Sequence, residues 1–196
     1  CAGDGTCSIP CPIGINTGTL IKEFRARENS PAAEWVALRL AKHWKAVEPL
    51  ARLSLWGAHA FSSVFGVKPL TALTAAVRSV VSPDLVPAVP GPMPRAASDL
   101  PETDKNGAAA VYFCACINRM FGRDPGRPAA PSLAEAFVSL SRRAGKPLWI
   151  PPDVAGLCCS TPWKSKGFRR GHKYMAQAVA DAMWRWSDEG SLPIVV

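Results

Sequence analysis

Several things are missing from this sequence, and each absence narrows it. No run of about twenty apolar residues is free of charge, so no membrane-spanning helix is expected. Histidine is scarce, with 3 in the chain, and neither His43 nor His59 has a partner at metal-ligand spacing. No signal peptide is visible, but a chain expected to be a piece of a longer polypeptide need not carry one, so this excludes little. No C-x2-C pair is present, which removes the usual zinc-knuckle pattern. The cysteines number 7, an odd count in clusters, which is wrong for a secreted disulfide framework. A reducing, cytoplasmic compartment is favoured. Acidic residues are outnumbered, 15 against 23 Lys and Arg, for a net charge of +8. That balance invites a nucleic-acid or anionic-surface reading. Lys and Arg are mostly spread at helical spacing, so no nucleic-acid partner is expected.

What is present begins with Cys1-Ala-Gly-Asp-Gly-Thr-Cys7-Ser-Ile-Pro-Cys11-Pro12, a C-x5-C-x3-C-P run. A Pro directly after the last Cys ends the bacterial ferredoxin pattern C-x2-C-x2-C-x3-C-P. Overlaid on it, Cys1, Cys7 and Cys11 take the first, third and fourth positions and Asp4 the second. Gly3 and Gly5 let the backbone wrap closely enough for N–H groups to face cluster sulfurs. Thiolates suit iron–sulfur chemistry, and Asp4 is either a harder fourth ligand or a neighbour of an open iron site. Zinc or a disulfide pair are the plainer alternatives. Ferredoxin runs come in pairs that exchange their fourth Cys. Partners upstream of Cys11 are therefore expected, and the chain reads as a piece of a longer polypeptide.

Residues 1–29 thus read as the second half of a ferredoxin-type 4Fe-4S domain, with a helix from Thr19 to about Arg27. Residues 30–81 read as a helical block. Ser30 is a good N-cap and Pro31 a good first helical residue. The expected helices break at Glu48-Pro49, end at Gly66 and restart at Pro69. Trp35, Trp44, Trp56 and His59 are expected in its core. The alternative for the Leu50–Val67 face is a membrane surface, as a peripheral contact, or a partner helix. Arg52 and His59 interrupt that face, and its polar side is not strongly basic. Residues 82–107, rich in Pro, read as a linker. Residues 108–196 read as strand, helix, strand, helix, strand: an α/β alternation with a parallel sheet. Its strands lie near Ala108–Phe113, Pro147–Ile150 and Pro193–Val196. Ser132 caps the first helix, and Lys166 to Trp186 forms the second. Cys116 and Cys158-Cys159 follow strands, where ligand sites form in such sheets.

Two adjacent thiols do not easily make a structural disulfide. Cys116 followed by Cys158-Cys159-Ser160 resembles the cysteine-rich "CCG" domain of heterodisulfide reductase, glycolate oxidase iron–sulfur and lactate-utilisation subunits. Here Ser160 stands for the family Gly, and Cys114 is an extra thiol. Taken together, CAGDGTCSIPCPIGINTGTL, YFCACINRMFG and GLCCSTPWKSKGFRRGH resemble the C-terminal part of the FAD-binding and iron–sulfur-binding D-lactate dehydrogenase (cytochrome) family. The resemblance implies a ferredoxin-like loop with a helical block, then a partial Rossmann-like cysteine-rich domain. It implies cluster ligands among Cys1, Asp4, Cys7, Cys11, Cys116, Cys158 and Cys159, a 4Fe-4S cofactor, and FAD in a flavin domain of the same polypeptide. It also implies electron delivery to a cytochrome or quinone. No catalytic residue is expected in this stretch, which lacks the flavin domain.

Lys164, Lys166, Arg169, Arg170, His172 and Lys173 follow the Cys pair, where positive charge would raise a cluster's potential. A solvated helix start is the plainer reading. Two other functions remain open. One is thiol or disulfide chemistry of the heterodisulfide reductase type, or a glycolate oxidase iron–sulfur subunit. The other is a zinc-stabilised basic nucleic-acid binder, which would show steep salt dependence.

Overall fold

The computed structural model of the chain describes residues 5–80, 93–123 and 129–196. After a 3-10 turn at Thr6–Ser8 come α1 (Thr17–Glu28), α2 (Pro31–Lys42), α3 (Trp44–Phe65) and α4 (Val67–Val80). Then follow β1 (Ala110–Tyr112), α5 (Cys116–Met120), α6 (Leu133–Arg143), β2 (Leu148–Trp149), α7 (Thr161–Lys166), α8 (Arg169–Trp186) and β3 (Ile194–Val195). The chain is helix-rich with a small parallel sheet of order β2-β1-β3. Ala110 and Val111 pair with Leu148 and Trp149, while Val111 and Tyr112 pair with Ile194 and Val195. The central strand is apolar and buried at every position, as a strand flanked on both edges requires. The chain divides into two compact units, Cys1–Val47 with Ala155–Leu192 and Glu48–Val154 with Pro193–Val196.

In the first unit, α2 lies along α8 through small residues. Ala37 and Ala41 are buried, so the two backbones approach closely. That choice puts Trp35 on the outer side, 53% exposed and stacked under Arg39, rather than in the core expected for it. Trp163 fills the centre instead. Its indole N–H donates to the Ala37 carbonyl at 2.8 Å, and its ring meets Trp44 edge-on at 5.0 Å. A methyl on Gly171 would lie 2.3 Å from the Trp163 ring, so α8 can pass there only on glycine.

The helix expected from Lys166 to Trp186 is present as α8 but begins at Arg169, and the separate short α7 precedes it. Gly167, at φ 80°, caps α7 before α8 begins. The orphan carbonyls at that end are held by α1: Arg25 donates to Ser165 at 2.6 Å and Asn29 to Lys166 at 3.0 Å. Glu34 of α2 accepts from the Arg169 and Arg170 backbone N–H groups, capping α8 with a carboxylate at its positive end. Ser30 caps α2 as expected, accepting from Ala33 N–H.

In the second unit, Ser132 and Glu135 form a reciprocal capping box at the start of α6. Tyr112 of β1 meets Phe137 of α6 edge-on at 4.9 Å. Pro49 does not break the helix as expected. It sits inside α3, and the break falls six residues earlier at His43, the C-cap of α2. Proline there forfeits only one early backbone bond. Gly66 ends α3 at φ 83°. Of the expected linker, 82–92 lies outside the described residues, as does the expected loop at Gly126 and Pro128. Residues 93–107 carry no helix but are tied down. Ala97 is buried, its N–H donates to Met120 at 2.9 Å, and Thr103 accepts from Ile150 N–H at 2.7 Å. Trp56 is 65% exposed, again not core.

Candidate functional site

The thiols fall into three neighbourhoods. The first is the loop ahead of α1. Gly5 takes φ 87°, and a methyl there would lie 2.7 Å from the Asn16 side chain. Asn16 in turn caps α1, accepting from Thr19 N–H at 3.0 Å. Ser8 donates to the Gly5 carbonyl at 2.8 Å, and the backbone carbonyl of the half-buried Cys11 accepts from Gly14 N–H at 3.0 Å. Cys1 and Asp4 lie outside the described residues, and so does the Cys7 side chain.

The second neighbourhood follows β1. The strand delivers Cys114 into full burial, and Ala115 turns the chain so that Cys116 opens the single-turn α5. Arg119, three residues on, sits on the same face of that turn. It is 5% exposed, yet fully engaged. It donates to the Cys114 carbonyl at 2.6 Å, and it forms a two-point pair with Glu48, itself buried, one bond at 3.1 Å. A buried guanidinium and carboxylate tolerate each other only with this kind of forked geometry. Burial pushes the Cys114 thiol up from its ordinary value, against the pull of the Tyr112 hydroxyl and of Arg119. Burial, with Cys114 beside it, pushes Tyr112 up to about 12. Cys114 is therefore a protonated thiol at neutral pH.

The third neighbourhood precedes α7. Cys158 is fully buried and Cys159 is exposed, its Sγ 3.2 Å from the Thr161 hydroxyl. Ser160 takes φ 63° and ψ 0°, the left-handed conformation that favours glycine. Its side chain is 4% exposed, and its hydroxyl lies 2.9 Å from His172 Nδ1 on α8. Burial, then the Lys164 ammonium, holds His172 below the ordinary histidine range, so the ring is neutral at pH 7. Beside it is a cavity of about 350 Å³ lined by Lys22, Lys164, Phe168 and Arg169 among others. Arg169 pairs with Glu23, so the cations after the Cys pair are not all free to act on it.

The donor types suit a soft metal centre. As a gathered set they fall short: among the described residues no three His, Cys, Asp or Glu side chains come together closely enough to hold a metal ion. Cys116 belongs to the second unit, and Cys158 and Cys159 to the first. Sequence reading missed Arg119, Glu48 and Tyr112. The spacing of Arg119 from Cys116 was the available signal, but Glu48 is distant in sequence and gave none. Compared with protein-family models, curated proteins and solved structures, the chain matches none.

Proposed function

We propose that this chain is the iron–sulfur electron-transfer portion of a flavin-dependent D-2-hydroxy-acid dehydrogenase of the D-lactate (cytochrome) type. FAD belongs to the flavin domain it works with, and a cytochrome or quinone takes the electrons. In this reading the first residues are a ferredoxin-like 4Fe-4S loop, and the sheet is the core of a Rossmann-like cysteine-rich domain. A cluster would supply a one-electron site. The candidate ligands are Cys1, Cys7 and Cys11 with Asp4, and Cys116, Cys158 and Cys159.

The observation that carries the reading is Ser160. It stands where the cysteine-rich family has Gly, and its backbone is left-handed, the conformation for which Gly is the default. The resemblance is thus one of backbone demand as well as of spelling. Cys114 and Cys116 at the carboxyl end of a parallel strand add support. One observation favours a second reading, heterodisulfide-reductase-like thiol chemistry: Cys159 is exposed beside a buried Cys158.

Anaerobic reconstitution with iron and sulfide tests the first reading, read by metal analysis and EPR. Bound iron and labile sulfide are expected, lost in Cys7→Ser and reduced in Cys158→Ser. Zinc bound in place of iron, or iron retained in both variants, would sink it. Iron absent while the Cys159 thiolate exchanges with an added disulfide, keeping one half as a mixed disulfide and releasing the other as a thiol, would favour the second reading.

A further inference from the structure

Helix α3 faces the wrong way for a core helix. Its inward side carries Glu48, Arg52, Leu55, His59 and Ser62, spaced at three and four residues. Three of these are polar groups tied to later segments of the same unit. Glu48 pairs with Arg119, Arg52 with Asp99 at 3.1 Å, and His59 lies 3.1 Å from the Met93 carbonyl and 3.2 Å from Arg95. The opposite side carries Leu50, Leu53, Trp56, Phe61, Val64 and Phe65, all exposed. A methyl built on Gly57, within that stripe, meets nothing. Arg52 and His59 break the stripe in the sequence, but the structure puts both on the inward side. The apolar face is therefore continuous. Helix α4 repeats the pattern: Leu70 is buried, while Leu73, Val77 and Val80 are exposed.

We propose that these outward faces of α3 and α4 dock the chain in the plane of an anionic lipid surface. Charge selects this occupant. From Pro49 to Val80 there is no Asp or Glu; Arg52 is taken up by Asp99, but Lys68 and Arg78 are present on α4 and the whole chain carries +8. A second copy would bring the same positive sign against it. A bilayer with anionic headgroups brings the complementary one, and it accepts Leu, Phe and Trp at the acyl boundary. No described helix is long and apolar enough to cross a membrane. α3, of 22 residues, is a surface helix about 33 Å long. The proposal does not rest on iron binding.

The test is co-sedimentation of the chain with vesicles of phosphatidylcholine, with or without phosphatidylglycerol. Binding about tenfold tighter to the anionic vesicles is expected. Leu53→Glu and Phe61→Glu should each weaken it by tenfold or more, since each places a charge at the acyl boundary. Lys68→Glu should weaken it about fivefold, on anionic vesicles only. All three side chains are exposed, and unchanged circular dichroism keeps loss of fold from imitating loss of binding. Equal binding to both vesicle types, or binding indifferent to Leu53→Glu and Phe61→Glu, would overturn the proposal. So would absence of pelleting, or a lipid-free dimer abolished by Phe61→Glu, which would make this face an interface between copies.

Discussion

The turn after β1 buries both of its cysteines, Cys114 and Cys116, while the turn before α7 buries Cys158 and leaves Cys159 exposed, and the two turns are held by different means. Cys114 is fixed through charge: Arg119 grips its carbonyl while Glu48 neutralises Arg119. Cys158 is fixed beside a strained residue: Ser160 is left-handed, and its hydroxyl is anchored on His172. The charged solution has high stakes, because losing either partner strands the other out of water. The strained one costs a little backbone energy at all times and depends on one modest hydrogen bond.

Breaking the charged turn should give the largest effect. Arg119→Ala leaves Glu48 buried and uncompensated, and should cost about 3–5 kcal/mol in chemical denaturation. The double replacement Glu48→Leu with Arg119→Met should recover most of that loss. A cost under about 1 kcal/mol for the single variant would mean that the pair does not hold the turn.

The strained turn should respond less. Ser160→Ala keeps the left-handed cost and loses the bond to His172, for about 1 kcal/mol. Ser160→Gly loses the same bond but relieves about 1–2 kcal/mol of backbone strain. The glycine variant should therefore melt higher than the alanine variant. The reverse order would show that the hydroxyl matters more than the backbone.

The smallest effect is on pH. His172 is held below its ordinary value, so the unfolded chain binds its proton more readily than the folded chain. Its contribution to stability is whole above pH about 6.5 and is lost as the pH falls towards the folded value. Lys164→Ala removes a repelling charge and should raise the His172 pKa, measured by NMR titration of the ring. No movement in that variant would leave burial as the whole cause.

Local signals in the sequence served well where the deciding physics is local. Ser30-Pro31, Ser132 with Glu135, and Gly66 mark helix ends because capping uses residues within one turn. Alternation of strands and helices foretold the parallel sheet. Trp35 and Trp56 were misjudged because periodicity identifies a face but not which face is packed. Pro49 misled because one missing N–H near a helix start is tolerable. For the candidate site, the Cys positions were legible and their holders were not.

By itself, then, the sequence determined where its locally capped helices begin and end and which residues are thiols. Tertiary structure alone decided that Ser160 would take a left-handed backbone, that Glu48 would reach Arg119 across 71 residues, and that α3 would turn its polar side inward. The reason is physical. Capping and backbone conformation are set by neighbours within a few residues. Burial of a charge and the choice of packed face depend on partners far along the chain, and these become neighbours only when the chain is folded.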